Sequence, residues 1–190
     1  MWAVIAGVFA FLIAYLFDWV SMRKIPGGKQ VIALFVVGLH SYALVAAYWG
    51  VSRFSLPSAF SVLGWFLLPF SLLLLLYSLF LELPLAQTYS QAGVGQRLVT
   101  SGTYALVRHP WVLWYIIFLA CLVIATRSIV LLYAVPIWVF MAVLHVVVQD
   151  RFFFPKVFSG YPHYQGQTPM LIPTRRSIAA CLRTSKAREA

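Results

Sequence analysis

SIVLLYAVPIWVFMAVLHVVV, residues 128–148, contains no lysine, arginine or acidic residue. A helix needs about 20 predominantly apolar residues to cross the hydrocarbon core of a bilayer. The run is rich in valine and leucine and shows no strict alternation of apolar and polar positions, so it differs from a strand of a membrane barrel. It therefore predicts a transmembrane α-helix.

Four further apolar stretches precede this run. They are Trp2–Trp19, Val31–Val51, Phe60–Phe80 and Trp111–Thr126. The last is the shortest, and only Arg127 separates it from residues 128–148, so these two stretches are predicted to form a helical hairpin. Hydrophobic residues make up 63% of the chain and charged residues 9%, whereas a soluble domain carries about a quarter charged residues. We predict an all-α, polytopic integral membrane protein with about five transmembrane helices.

The basic residues predict the orientation of the chain, whose formal net charge is +10. With five crossings, one side holds only Arg53 and Arg127. The other side holds Arg23, Lys24, Lys29, Arg97, Arg108 and the basic tail. Because cytoplasmic loops are enriched in basic residues, we expect the N-terminus outside and the tail in the cytoplasm, left in water near anionic membrane lipids. The membrane is then a bacterial inner membrane or an endomembrane. A nucleic-acid partner is not predicted, because the basic residues follow the membrane rule.

Two polar stretches interrupt the apolar pattern. The first, residues 82–110, reads ELPLAQTYSQAGVGQRLVTSGTYALVRHP, and the second begins at Gln149 and contains GYPHYQGQTPMLIP. Both fall on the predicted cytoplasmic side, so we expect any chemistry where they meet. The chain is accordingly divided into an N-terminal three-helix region (1–83), a core with helices four and five (84–173) and a basic tail (174–190).

Arg108, His109 and Pro110 stand immediately before the fourth apolar stretch. Proline is well placed in the first turn of a helix, where its missing N–H is not needed. Arginine and histidine at a helix N-terminus suit a carboxylate or another anion. The alternative is a basic anchor at the membrane interface with a proline helix start.

Acidic residues are predicted at two helix ends, where a carboxylate opposes the helix dipole and needs a partner or a function. For Asp150, after the fifth stretch, the candidate partners are Arg108, Arg151 and Lys156. For Glu82, after the third, they are Arg97 and Arg108.

Histidines and aromatic residues lie inside the apolar stretches. His145 shares a helix face with Gln149 and extends polarity inward from Asp150, or is a satisfied core residue. His40 is predicted to form an interhelical hydrogen bond. An aromatic stripe predicts either an interfacial belt that continues into helix packing or the wall of a lipid tunnel; it comprises Trp111, Trp114, Tyr115 and Phe118.

Several chemistries lack their sequence patterns. The chain has no HExxH, GxSxG or P-loop pattern, and no GxGxxG follows a strand. The four histidines are scattered, so no metal site is predicted.

Two blocks of the C-terminal half resemble the isoprenylcysteine carboxyl methyltransferase family, which belongs to a wider group of membrane methyltransferases that includes the phospholipid methyltransferases. LVTSGTYALVRHP (98–110) resembles the segment LVxxGxYxxVRHPxYxG of that family. In the second block the family has two glutamates, tyrosines twelve and fifteen residues after the first of them, and a closing Pro-x-x-Ile-Pro. This chain has Gln149-Asp150, Tyr161, Tyr164 and PMLIP at 169–173. The resemblance covers roughly Leu98–Pro173.

The resemblance implies a membrane methyltransferase that binds S-adenosylmethionine without a Rossmann domain and takes a prenylated or lipid-like substrate from the bilayer. It implies catalytic roles for Arg108, which would orient a carboxylate, and for Asp150, which would complete the polar floor. The residues implied in cofactor binding, with Leu98 and Val99 as an apolar slot for adenine, are Leu98, Val99, Gly102, Tyr104, His109, Pro110, Gln149, Tyr161 and Tyr164.

The chain also departs from the family pattern. The tyrosine after RHP is Val112, the following small residue is Trp114, and the glutamate pair is Gln149-Asp150. Two alternatives therefore stay open. One is a membrane reductase that uses NADPH on a sterol-like substrate, although few polar residues could hold a dinucleotide. The other is a diverged, non-catalytic membrane assembly partner.

Overall fold

The computed structural model describes residues 1–23, 25, 27–83 and 98–189, so residues 24, 26, 84–97 and 190 lie outside the described part. The described residues form helices joined by turns. The α-helices are α1 (Trp2–Met22), α2 (Gly28–Tyr48), α3 (Ser58–Leu76), α4 (Thr103–Leu106), α5 (Pro110–Thr126), α6 (Ile129–Val148), α7 (Phe154–Val157), α8 (Tyr161–Gln167) and α9 (Arg175–Glu189). Helices α3 and α6 continue directly into five-residue π-helical segments, Tyr77–Leu81 and Gln149–Phe153.

Four helical stretches are long and apolar enough to cross a membrane, judged by length and composition. They are Trp2–Met22, Gly28–Tyr48, Ser58–Leu81 and Ile129–Val157. Helix α5 is apolar too, but it has only 17 residues. Large apolar side chains point outward from these helices, which suits a hydrocarbon solvent. The predicted all-α membrane class is confirmed, and the fifth crossing stays a prediction.

Helices α3 and α5 approach each other closely at a glycine. A Cβ atom added to Gly64 would lie 2.6 Å from the backbone nitrogen of Ala125. Beside this contact, the Ser61 hydroxyl donates a hydrogen bond to the Ala125 carbonyl oxygen at 2.7 Å. Small residues allow such backbone contact between membrane helices, where packing and interhelical hydrogen bonds drive association.

Helix α1 packs against α6 through a second glycine. The ring of Trp138, which is fully buried, lies over Gly7 and leaves no room for a side chain there. The Trp138 indole N–H donates a hydrogen bond to the Val4 carbonyl oxygen at 3.1 Å. This contact holds α1 against the C-terminal hairpin.

The predicted hairpin of α5 and α6 is confirmed. Arg127 ends α5 in the left-handed region (φ 56°), and Ser128 caps α6 by accepting a hydrogen bond from the Leu131 N–H. The Ser128 hydroxyl also donates to the Ala47 carbonyl oxygen at 2.7 Å. The tight turn is therefore fixed against α2.

The basic tail, which is predicted to lie in water, also contacts the rest of the chain. It forms helix α9, which packs against α4. Ser177 in α9 is only 2% exposed, and the Thr184 hydroxyl accepts a hydrogen bond from the Gly102 N–H at 3.0 Å. A composition-based prediction misses this contact, because it takes no account of the polar side chains of Ser177 and Thr184 among the basic residues.

Candidate functional site

The two polar blocks meet at the turn that precedes α5. The backbone N–H groups of Arg108 and His109 donate hydrogen bonds to the carbonyl oxygens of Pro169 (2.9 Å) and Met170 (3.3 Å). Pro110 then begins α5, as its fixed φ predicts. These backbone bonds join two segments that the helical hairpin separates along the chain.

The carboxylate of Asp150 is the centre of the junction. Arg108 binds it through two atoms, with Nε at 2.9 Å from Oδ1 and Nη2 at 2.8 Å from Oδ2. The Tyr161 hydroxyl donates to Oδ1 at 2.5 Å, and His109 Nε2 lies 3.2 Å from the same oxygen. Gln165 Nε2 donates to Oδ2 at 3.1 Å. Four side chains from both blocks therefore converge on one buried acid.

The position of Asp150 corrects the prediction that it closes the last helix. The chain continues through the π-helical segment Gln149–Phe153 into α7, so the helix does not end at Asp150. Among the candidate partners it is Arg108 that pairs with Asp150. The other predicted helix-end acid, Glu82, accepts hydrogen bonds from the backbone N–H and the hydroxyl of Thr103. The alternative partner Arg97 lies outside the described residues.

Burial and hydrogen bonding set the protonation states around this carboxylate. Burial lowers the pKa of His109 below its ordinary value, although the hydrogen bond to Asp150 opposes the shift. Burial and the Asp150 hydrogen bond raise the pKa of Tyr161. Burial disfavours the charged form of Arg108, but its bonds to Asp150 outweigh this and raise its pKa. At neutral pH the site thus holds a neutral imidazole, a neutral phenol and a guanidinium–carboxylate pair.

The lowered pKa of His109 predicts a pH dependence of stability. In the unfolded chain a histidine gains a proton as the pH falls below about 6.5, whereas buried His109 resists protonation until lower pH. Stability from this residue is therefore present above pH 6.5 and is lost as the pH falls through the folded-state pKa. We expect the thermal unfolding temperature of the detergent-purified protein to fall between pH 7 and pH 5. The fall in unfolding temperature over this pH range should be smaller in His109→Gln. An equal fall in both proteins would contradict the assignment of the pH dependence to His109.

A cavity of about 580 Å³ lies next to the junction, between the helices and the polar blocks. Of the eleven residues that the sequence singled out as catalytic or cofactor-binding, eight line it. They are Leu98, Val99, Tyr104, Arg108, His109, Gln149, Tyr161 and Tyr164.

Three of the predicted residues do not line the cavity. Asp150 lies behind Arg108 and His109 and holds them. Pro110 starts α5. Gly102 adopts a positive φ of 65° and directs its N–H to Thr184 of α9. The predicted roles of Gly102 and Pro110 in cofactor binding, and of Asp150 as part of the polar floor, stay predictions.

Gln149 points to an acid that the sequence analysis did not single out. Its Nε2 lies 3.0 Å from both carboxylate oxygens of Asp18 in α1. His145, expected to extend polarity toward Asp150, instead places Nε2 at 3.4 Å from Asp18. A glutamate at position 149 would set two carboxylates against each other, which accounts for the glutamine. Asp18 could have been identified from the sequence, because it is an acidic residue inside a predicted transmembrane helix.

The remaining sequence predictions concern the cavity walls. His40 forms the predicted interhelical hydrogen bond, with Nε2 at 2.8 Å from the Tyr115 hydroxyl. Three members of the aromatic stripe, Trp111, Tyr115 and Phe118, line the cavity, but Trp114 does not. Most of the stripe therefore forms a wall of the cavity.

Comparison of the chain with protein-family models, curated proteins and solved structures finds no match. The resemblance to the isoprenylcysteine carboxyl methyltransferase family therefore rests on the two sequence blocks. It stays a hypothesis.

Proposed function

We propose that this chain transfers a methyl group from S-adenosylmethionine to a prenylated or lipid-like substrate in the membrane. One observation carries the proposal. The two blocks that resemble the methyltransferase family, separated by the hairpin, meet at Asp150 and line one cavity. A shared site of this kind is what the resemblance requires.

The residues of the cavity fit the proposed cofactor. The volume of the cavity lies within the range of about 300–1,000 Å³ typical of small-molecule sites. Leu98 and Val99 offer an apolar slot for adenine. Arg108 uses four N–H donors on Asp150, Gln165 and Thr168, which leaves one of about five for a carboxylate. When bound, S-adenosylmethionine supplies an electrophilic methyl group on a positively charged sulfur.

The protein would contribute positioning and exclusion of water. Asp150 acts as a positioning residue, because it fixes Arg108 and His109 without lining the cavity. His109 is further held by ring stacking on Phe154, with centroids 5.8 Å apart. Aromatic side chains of α5 line part of the cavity and would limit the access of water. Holding a nucleophile and an electrophile in line in a dry site supplies much of the acceleration in group transfer.

The proposal includes five crossings with the polar end of the bundle in the cytoplasm and the N-terminus outside. At 17 residues, α5 meets the lower limit of about 17 residues for a span. At the opposite end of the bundle, two backbone hydrogen bonds join the α2–α3 loop to the α5–α6 turn. The Phe54 N–H donates to the Arg127 carbonyl oxygen, and the Ile129 N–H donates to the Ser52 carbonyl oxygen. That end contains Arg53 and Arg127, the two basic residues assigned to the outside.

Calorimetry with S-adenosylhomocysteine tests the cofactor. We expect saturable binding to the detergent-purified protein, weakened about tenfold by His109→Ala because a buried polar contact is lost. Ser71→Ala is the matched control. Ser71 is buried, and among the described residues its hydroxyl bonds only within its own helix, to the Leu68 carbonyl oxygen. No detectable heat at high micromolar ligand would reject the proposal.

Thermal stability in the presence of other ligands separates the alternatives. S-adenosylmethionine should raise the unfolding temperature, because a ligand that binds only the folded state stabilises it. A shift with NADPH alone would instead favour the reductase. No shift with either ligand would favour the non-catalytic alternative.

A further inference from the structure

A second polar cluster faces the cavity from inside the helical bundle. Asp18 of α1 lines the cavity, and its side chain is 11% exposed. Its carboxylate is contacted by Gln149 Nε2 at 3.0 Å and by His145 Nε2 at 3.4 Å. Asp18 is the only acidic residue among the described residues that line the cavity.

The cluster lacks a full positive charge. No lysine or arginine of the described part of the chain forms an ion pair with Asp18, and its partner His145 carries charge only when protonated. A carboxylate in a low-dielectric interior takes up a proton unless a cation pairs with it and keeps it ionised. A bound cation would therefore complete the site.

Ser21 supplies a second observation that points to a ligand. It lies three residues after Asp18 on the same face of α1 and also lines the cavity. The side chain is 6% exposed, and its hydroxyl oxygen has no hydrogen-bond partner in the described structure. Buried polar groups are rarely left without a partner. Asp18 and Ser21 together offer two adjacent acceptors toward the cavity.

One side of the cavity is apolar. Leu72, Leu75, Leu76 and Leu79 line it from α3 and the π-helical segment that follows. Such a wall suits a hydrocarbon chain. A ligand that satisfies both parts carries a compact hydrogen-bond-donating cation at one end of a long apolar chain.

We propose that Asp18 and Ser21 bind the ammonium group of a long-chain primary amine, with its hydrocarbon chain along the leucines of α3. An ammonium supplies both the missing charge and several N–H donors. The cluster faces the same cavity as Arg108 but offers a carboxylate to the ligand. The inference concerns binding and does not depend on methyl transfer, so it survives a failure of S-adenosylhomocysteine to bind.

Two brominated probes of equal length test the proposal. Bromine quenches tryptophan fluorescence, and Trp111 lines the cavity. The protein is placed in phosphatidylcholine nanodiscs and titrated with 11-bromoundecylamine or 11-bromoundecanol. We expect saturable quenching by the amine with about tenfold higher affinity than by the alcohol, because hydrogen bonds to charged groups are stronger. Equal affinities for the two probes would overturn the proposal.

Substitutions assign the effect to the cluster. Asp18→Asn keeps the shape of the side chain and should reduce amine affinity about tenfold while leaving alcohol affinity unchanged. Ser21→Ala should produce a smaller loss of the same kind, and Ser71→Ala, outside the cavity, none. Unchanged amine binding in Asp18→Asn would reject the assignment. If Asp18→Asn does not fold, two other results test the assignment: the ratio of amine to alcohol affinity in the wild-type protein, and the loss of amine affinity in Ser21→Ala.

A third arm identifies the source of the amine. The amine titration is repeated in nanodiscs that contain phosphatidylethanolamine. Competition would support a lipid headgroup as the natural occupant, whereas undiminished binding would support a free long-chain amine.

Discussion

Replacement of Asp150 by alanine is expected to lower the free energy of unfolding by about 3–5 kcal/mol, the range for breaking a buried ion pair by removing one partner. The change leaves the largely buried guanidinium of Arg108 without its charge partner and removes the acceptor of Tyr161 and His109. Because these groups join the two polar blocks, we also expect S-adenosylhomocysteine binding to be lost. Unfolding of the detergent-purified protein in a graded SDS titration measures the first effect, and calorimetry the second.

A double-mutant cycle separates the ion pair from general damage. Arg108→Ala should lower the free energy of unfolding by a comparable amount. The double variant should lower it by clearly less than the sum of the two single effects, because it leaves neither charge without its partner. Arg151→Ala is the matched control, since Arg151 adjoins Asp150 in the chain but is exposed. Additive effects of the two single changes would contradict the proposed junction.

Substitution of Gly64 by alanine is the second large expected effect. The new Cβ atom would meet backbone atoms of α5, 2.6 Å from the Ala125 nitrogen and 3.0 Å from its Cα. Backbone cannot move aside as a flexible side chain can, so α3 and α5 must separate and the Ser61 hydrogen bond weakens. Overpacking of this kind costs about 1–3 kcal/mol. The same SDS titration measures the loss.

Gly38→Ala provides the control for this prediction. Gly38 lies within α2, and a Cβ atom there would meet nothing within 4 Å. Alanine favours helix over glycine by about 1 kcal/mol, so this variant should be neutral or more stable. Equal destabilisation by both substitutions would show that the contact with α5 is unimportant.

The elements that could be predicted from sequence depend on local signals. The apolar runs gave the long helices, Pro110 marked the start of α5, and the single residue Arg127 marked the hairpin turn. The two polar blocks were also recognised, and eight of the eleven residues singled out there line the cavity. Each of these signals is contained in a short stretch of chain, so no knowledge of packing is needed to detect it.

The errors concern features that depend on packing between distant segments. Asp150 was placed at a helix end because polar residues follow the apolar run, whereas the chain continues as a π-helical segment. The partner of Asp18 is 131 residues away in sequence, so no local pattern predicts it. The contact that holds Asp18 comes from a segment that sequence spacing cannot place.

The π-helical segment at Gln149–Phe153 has a consequence for the evolution of the chain. A π-helical turn contains one residue more than an α-helical turn, and such turns occur frequently at functional sites. Loss of that residue would restore a regular helix and rotate everything downstream by about 100°, which would carry Tyr161 away from Asp150. We therefore expect homologous chains that lack the Arg108–Asp150 pair to differ by a one-residue deletion between His145 and Tyr161. The length of this segment should then mark which lineages keep the junction.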